Sequence, residues 1–138
     1  MGLDDDIAQV AERHGAVLLV RFGSAVSGMT HARSDVDLGV LFGKPSVSIE
    51  IFSDLLRDLQ RLHPGRDVDL AVLDHADPLF LKKVTESCEL LYGSRRRLLE
   101  LKMYAFKRYQ DHRKFLAMER RYVETALREM AQRWSTPS

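Results

Sequence analysis

Two short runs, the apolar Val17 to Phe22 and the alternating Ser34 to Leu41, limit what this chain can fold into, because of what stands between their apolar parts. The first stops at Gly23-Ser24, ten residues follow from Ala25 to Ser34, and Asp35-Val36-Asp37 opens the second. Runs this short and this rich in Val, Leu and Phe read as buried strands. In the second, Val36, Leu38 and Val40 alternate with Asp35, Asp37, Gly39 and Leu41. The two carboxylates therefore share one face of a strand. If that face were plain core, each would be a buried unpaired charge at heavy cost. The pair must be solvated, matched by cations or bound to metal.

A third run, Asp67 to Leu73, repeats the pattern, with Asp67, Asp69, Ala71 and Leu73 on one face. On a neighbouring strand, Asp69 falls where it could lie beside Asp35 and Asp37. Three carboxylates short of positive partners suit Mg²⁺, which takes carboxylate oxygens, keeps waters and binds substrate phosphates. Two such ions can clamp an in-line phosphoryl or nucleotidyl displacement. Gly23-Ser24 supplies the complementary half: Gly lets backbone approach a phosphate, a helix start offers free N–H groups, and the Ser24 hydroxyl donates another hydrogen bond. Singly, each half is weak, since Gly-Ser after a strand is commonly a turn and Asp-x-Asp a solvated edge.

The remaining chain reads as alternating helices and strands. Leu3 to His14 has helical spacing, with Asp4, Asp5 and Asp6 favouring the positive end of the dipole. Ser24 to Met29 is expected to be a short helical turn. Ser48 to Leu62 is an amphipathic helix, Asp77-Pro78 opens another that runs to about Ser87, and Glu89 to Tyr92 is a last short strand. The fold class is α/β, or α+β: a small mixed sheet of about four strands with flanking helices. From Arg95 to about Trp134 there is no Gly or Pro, and Leu98, Leu101, Ala105, Tyr109, Leu116, Val123, Leu127, Met130 and Trp134 trace a helical seam. That stretch is one helix, or two with a bend near Asp111-His112. Residues 1–93 thus form the domain, and 94–138 a basic helical extension packed on it or on a partner.

Charge follows the same division. Residues 1–94 carry 9 Lys and Arg against 15 Asp and Glu, a net of −6, and residues 95–138 carry 12 against 5, a net of +7. An acidic body with a basic extension points to phosphate or an acidic partner at the extension. No apolar run approaches the length of a bilayer span, and the acidic start is no signal peptide. The one cysteine, Cys88, suits a reducing cytosol and reads as a packing residue. None of the five His residues shows metal-ligand spacing.

The whole constellation resembles the DNA polymerase β nucleotidyltransferase superfamily, whose signature is Gly-Ser, ten residues, Asp-x-Asp, and a third acidic residue on a later strand. Gly23, Ser24, Asp35 and Asp37 fit it without a gap. Asp69 is the best match for the third carboxylate, with Asp67 the runner-up and Asp74 behind it. The likeness covers about residues 5–93, and the small size looks like the minimal nucleotidyltransferase (MNT) branch, many of whose members are antitoxins encoded with a HEPN-domain RNase toxin. It implies a polymerase β-like fold, ATP as nucleotide donor, two Mg²⁺ ions, and transfer of AMP to a toxin tyrosine. It also implies a hetero-oligomer with that toxin in the cytoplasm. Asp35 and Asp37 would hold both ions, Asp69 would hold the second and activate the attacking hydroxyl, and Gly23 and Ser24 would bind the nucleotide phosphates.

One departure stands out: many relatives carry Arg inside the segment after Gly-Ser, where this chain has Ala25, Val26 and Ser27. Arg33 and Arg21 are the alternatives for that cation. Two other functions fit parts of the pattern. The first is a masking antitoxin that binds its toxin through the helical extension without catalysis. The second is a nucleotidyltransferase for a small molecule such as an aminoglycoside, against which the chain's shortness argues. No nucleic-acid recognition motif accompanies the basic segment.

Overall fold

The computed structural model describes residues 2–23 and 35–135. Ser24, the expected turn at Ser24 to Met29, and Arg33 lie outside them. The described elements are α1 (Leu3–Arg13), β1 (Leu18–Phe22), β2 (Val36–Leu41), α2 (Ile49–Arg61), β3 (Val68–Val72), α3 (Pro78–Glu86), β4 (Cys88–Tyr92) and α4 (Arg95–Ser135). They build a mixed four-stranded sheet in the order β3-β2-β1-β4. β1 runs antiparallel to both of its neighbours, while β2 and β3 are parallel. A parallel pair needs a crossover, and α2 supplies it.

Local chemistry sets the helix starts. The Ser48 hydroxyl accepts the Ile51 N–H at 3.2 Å ahead of α2, and the Asp77 carboxylate accepts the Leu79 N–H at 2.9 Å ahead of α3. Pro78 then sits where its missing N–H costs nothing. At the passage from β4 into α4, Gly93 has φ 108°, and a Cβ there would lie 2.5 Å from the Val17 carbonyl oxygen. Only glycine makes that passage.

The strand alternation divides the core in two. Leu19, Val36, Leu38, Val40 and Leu70 face α1 and α2, meeting Ile7, Val10, Ala11, Leu55 and Leu59. Leu18 and Val20 face α3 and α4, meeting Leu81, Val84, Leu101 and Ala105, with Phe22 and Leu41 beside them. The even-numbered positions of β2 thus turn toward the first layer and the odd-numbered toward the second. Asp37, between Val36 and Leu38, faces the α3/α4 side.

Residues 95–135 form a single helix of 41 residues, with no break at Asp111-His112. Its length is about 60 Å at 1.5 Å per residue. Leu101 and Ala105 are buried and Leu98 and Tyr109 half-buried, whereas beyond His112 nearly every side chain is exposed.

Asp74, considered as an outlying third carboxylate, is structural. It lies past the far end of β3, where its carboxylate accepts the N–H groups of Phe42 at 2.8 Å, Gly43 at 2.7 Å and Lys44 at 3.3 Å. Asp74→Ala would strand those donors, and hydrogen bonds to charged groups contribute about 1.5–3 kcal/mol each. With partial solvent access, a total loss of roughly 2 kcal/mol is expected. Denaturant titration should show a lower midpoint at unchanged slope.

Candidate active site

Asp37 and Asp69 are direct partners in the parallel ladder between β2 and β3. Opposed residues on adjacent strands point the same way, so both carboxylates leave the sheet on the α3/α4 side. Asp35, two residues before Asp37 on the same face, extends the row and is exposed. Three acidic side chains from two strands therefore share one end of the sheet. Asp67 lies on the same face just before β3, where its carbonyl accepts the Val36 N–H at 2.8 Å.

Electrostatics registers the crowding. Burial pushes the Asp37 carboxyl above its ordinary range, the Asp69 and Asp35 charges push it further, and Lys83 opposes them. Like charges held this close favour a cation between them. Among the described residues, no three His, Cys, Asp or Glu side chains gather tightly enough to hold a metal on their own.

Gly23 closes the site from β1. Phe22 pairs with Asp37 across the antiparallel ladder, so the chain leaves β1 beside that carboxylate. Gly23 has φ 79°, and a Cβ there would stand 2.3 Å from Asp37 Oδ2. The left-handed conformation calls for glycine, and a Cβ would push the Asp37 carboxylate aside. Of the five residues expected at the site, Gly23, Asp35, Asp37 and Asp69 come together at one end of the sheet, and Ser24 lies outside the described residues.

Arg21 does not supply the expected cation. Alternation along β1 turns it with Leu19 toward α1, away from the carboxylates. There it donates to Glu89, its strand partner on β4, at 2.9 Å and to Asp4 at 3.2 Å. Among the described residues, Lys83 on α3 is the cation that opposes the push on Asp37. A cavity of about 510 Å³ lined by Leu41, Lys44, Leu73, His75, Arg97 and Tyr104 sits at the opposite end of β2 and β3, and none of the three carboxylates borders it.

His14 and His63 are structural. The His14 ring pairs with Asp58 at 2.7 Å, joining α1 to α2 and holding the Asp58 carboxyl below its ordinary range. The buried His63 uses Nδ1 on the Leu59 carbonyl at 2.8 Å. Cys88 is half-buried and burial pushes its thiol up, which suits packing.

The sequence profile of the family described as Polymerase beta, Nucleotidyltransferase matches residues 5–97. No curated protein matches the chain by sequence. Solved structures do match by shape. One is a toxin–antitoxin with AMP-PNP, at 22% identity and a TM-score of 0.71, covering 90% of this chain and 97% of that one. Another is a tri-AMPylated Shewanella oneidensis HEPN toxin in complex with MNT antitoxin, at 20% identity and 0.65, covering 91% and 95%. A third is the spectinomycin adenyltransferase AAD(9) from Enterococcus faecialis with ATP and spectinomycin, at 13% identity and 0.56, covering 72% and 58%. At such identities the likeness speaks for the fold.

Proposed function

Because the chain belongs to the polymerase β nucleotidyltransferase family, we propose that it is a Mg²⁺-dependent adenylyltransferase that moves AMP from ATP to a tyrosine hydroxyl of a HEPN-domain toxin and so neutralises it. The observation that carries this reading is the row of carboxylates: Asp37 opposite Asp69 in register, with the Gly23 backbone against Asp37. The structures with AMP-PNP and with a tri-AMPylated toxin, similar along nearly their whole length, supply the donor and acceptor class.

In this reading Asp35 and Asp37 would hold two Mg²⁺ ions, with Asp69 a further ligand for the second. Bound there, the metal would neutralise triphosphate charge and stabilise the oxygens of an in-line displacement. Asp69 is exposed, as a base that meets an incoming protein hydroxyl must be, and it accepts the tyrosine proton. Ser24 and the Gly23 backbone bind the phosphates. The acceptor docks on the basic extension, whose outer part offers apolar side chains to solvent.

A second reading, masking without catalysis, draws support from that same outer part of α4. Radiolabelled ATP with Mg²⁺ and the HEPN partner separates the two. Label on the partner with wild type, lost in Asp69→Asn while ATP binding persists, is the expected result. A tight complex that inhibits the RNase with no label would leave masking alone. Unchanged AMP incorporation by Asp69→Asn would remove Asp69 from the mechanism.

A further inference from the structure

We propose that Lys83 is a side chain of this fold that grips the triphosphate of the bound nucleotide, at a site whose Gly-Ser motif continues into Ala25, Val26 and Ser27. The inference rests on the adenylyltransferase reading above and adds a residue to its site.

Position comes first. α3 begins at Pro78, just after the far end of β3, and ends at Glu86, directly before β4. Cys88 at the start of β4 pairs with Phe22, and Phe22 pairs with Asp37. The helix therefore runs back along the sheet toward the carboxylate end. Phe80 fixes its height: its ring meets Phe22 edge-on, with centroids 5.9 Å apart. Lys83 stands one helical turn beyond Phe80 in that direction. α3 also lies on the face from which Asp35, Asp37 and Asp69 project.

Availability comes second. The neighbouring Lys82 is engaged, pairing with Glu86 and standing 4.7 Å over the Tyr109 ring. Arg21 is held by Asp4 and Glu89 on the opposite face. Lys83 is exposed and makes no ion pair among the described residues. Among the described residues it is an unpaired ammonium, on the face from which three aspartates project.

The chemistry supports the assignment. A nucleoside triphosphate brings about four negative charges to a row of carboxylates that already repel one another, and two divalent ions leave the aspartates uncompensated. An ammonium on a flexible stem binds phosphate as a point charge. Its helix is anchored by Leu81 and Val84 in the core, so the stem starts from a fixed base.

The test measures binding of ATP and of adenosine, each with Mg²⁺, to wild type, Lys83→Gln, Lys83→Arg and Lys82→Gln. A lost charge-assisted contact predicts that Lys83→Gln weakens ATP binding roughly tenfold or more. Adenosine binding should stay as in wild type, since it has no phosphate to lose. Lys83→Arg should recover most of the ATP affinity, and Lys82→Gln should match wild type. The KM for ATP should rise in step with the binding loss. ATP affinity in Lys83→Gln within about twofold of wild type would overturn the assignment, as would equal losses for ATP and adenosine. Failure of wild type itself to bind ATP would overturn the adenylyltransferase reading, and Lys83 with it.

Discussion

Asp37→Asn is expected to lower nucleotidyl transfer about a thousandfold or more, the scale on which a metal-held displacement depends on its charge stabilisation. The same substitution should leave the chain folded and, without metal, more stable than wild type. The physical ground is the raised pKa of Asp37, caused by burial and then by Asp69 and Asp35. A carboxyl whose folded-state pKa lies above its unfolded value destabilises the fold in its charged form. Between those two values the native chain holds a proton that the unfolded chain has released, so stability falls as pH rises through that window. Above it the penalty is complete, and below the unfolded value it is absent. In EDTA at pH 7, Asp37→Asn should melt above wild type, and the gap should close as pH drops toward 4. Mg²⁺ should reverse the order by raising the wild-type midpoint and leaving the variant's in place. Retained transfer in Asp37→Asn, or an equal response of both proteins to Mg²⁺, would detach Asp37 from the metal.

How far the sequence could be read depended on the range of the interactions involved. The strands and their facing residues followed from alternation, because Asp37 and Leu41 cannot share a face with Val36 and Leu38. That Asp37 and Asp69 would be register partners needed only a parallel pairing of two similar runs. Arg21 was readable too: alternation sends it with Leu19, opposite to Val20 and Phe22. Lys83 was not, since its place by Asp37 depends on Phe80 meeting Phe22, a contact between residues 58 positions apart. The continuity of α4 matches its lack of Gly and Pro, whereas where its packing stops is set by the edge of the domain.

That edge leads to the second large effect. Along α4, Leu98, Leu101, Ala105 and Tyr109 lie on the domain at intervals of three and four residues. Leu116, Val123, Leu127, Met130 and Trp134 continue the same helical stripe after the domain has ended. One face therefore begins buried and ends in water, with Trp134 84% exposed and Leu127 59%. A surface helix ordinarily keeps an apolar stripe only where something covers it. In the proposed function the cover is the HEPN toxin, which takes up the layer where the domain leaves off. The triple substitution Leu116→Asp, Val123→Asp and Leu127→Asp should then weaken the complex by a hundredfold or more, since central interface anchors contribute about 2 kcal/mol or more each. Exposed sites away from the core change stability by only about ±0.5 kcal/mol each, so the isolated chain should melt near wild type. Intrinsic ATP binding should persist, because the carboxylates and Lys83 stand on other elements. Toxin labelling should fall at low partner concentration and recover as the toxin is raised. An undiminished complex would move the docking surface off the outer half of α4, and a collapse of ATP binding would mean that this half also supports the nucleotide site.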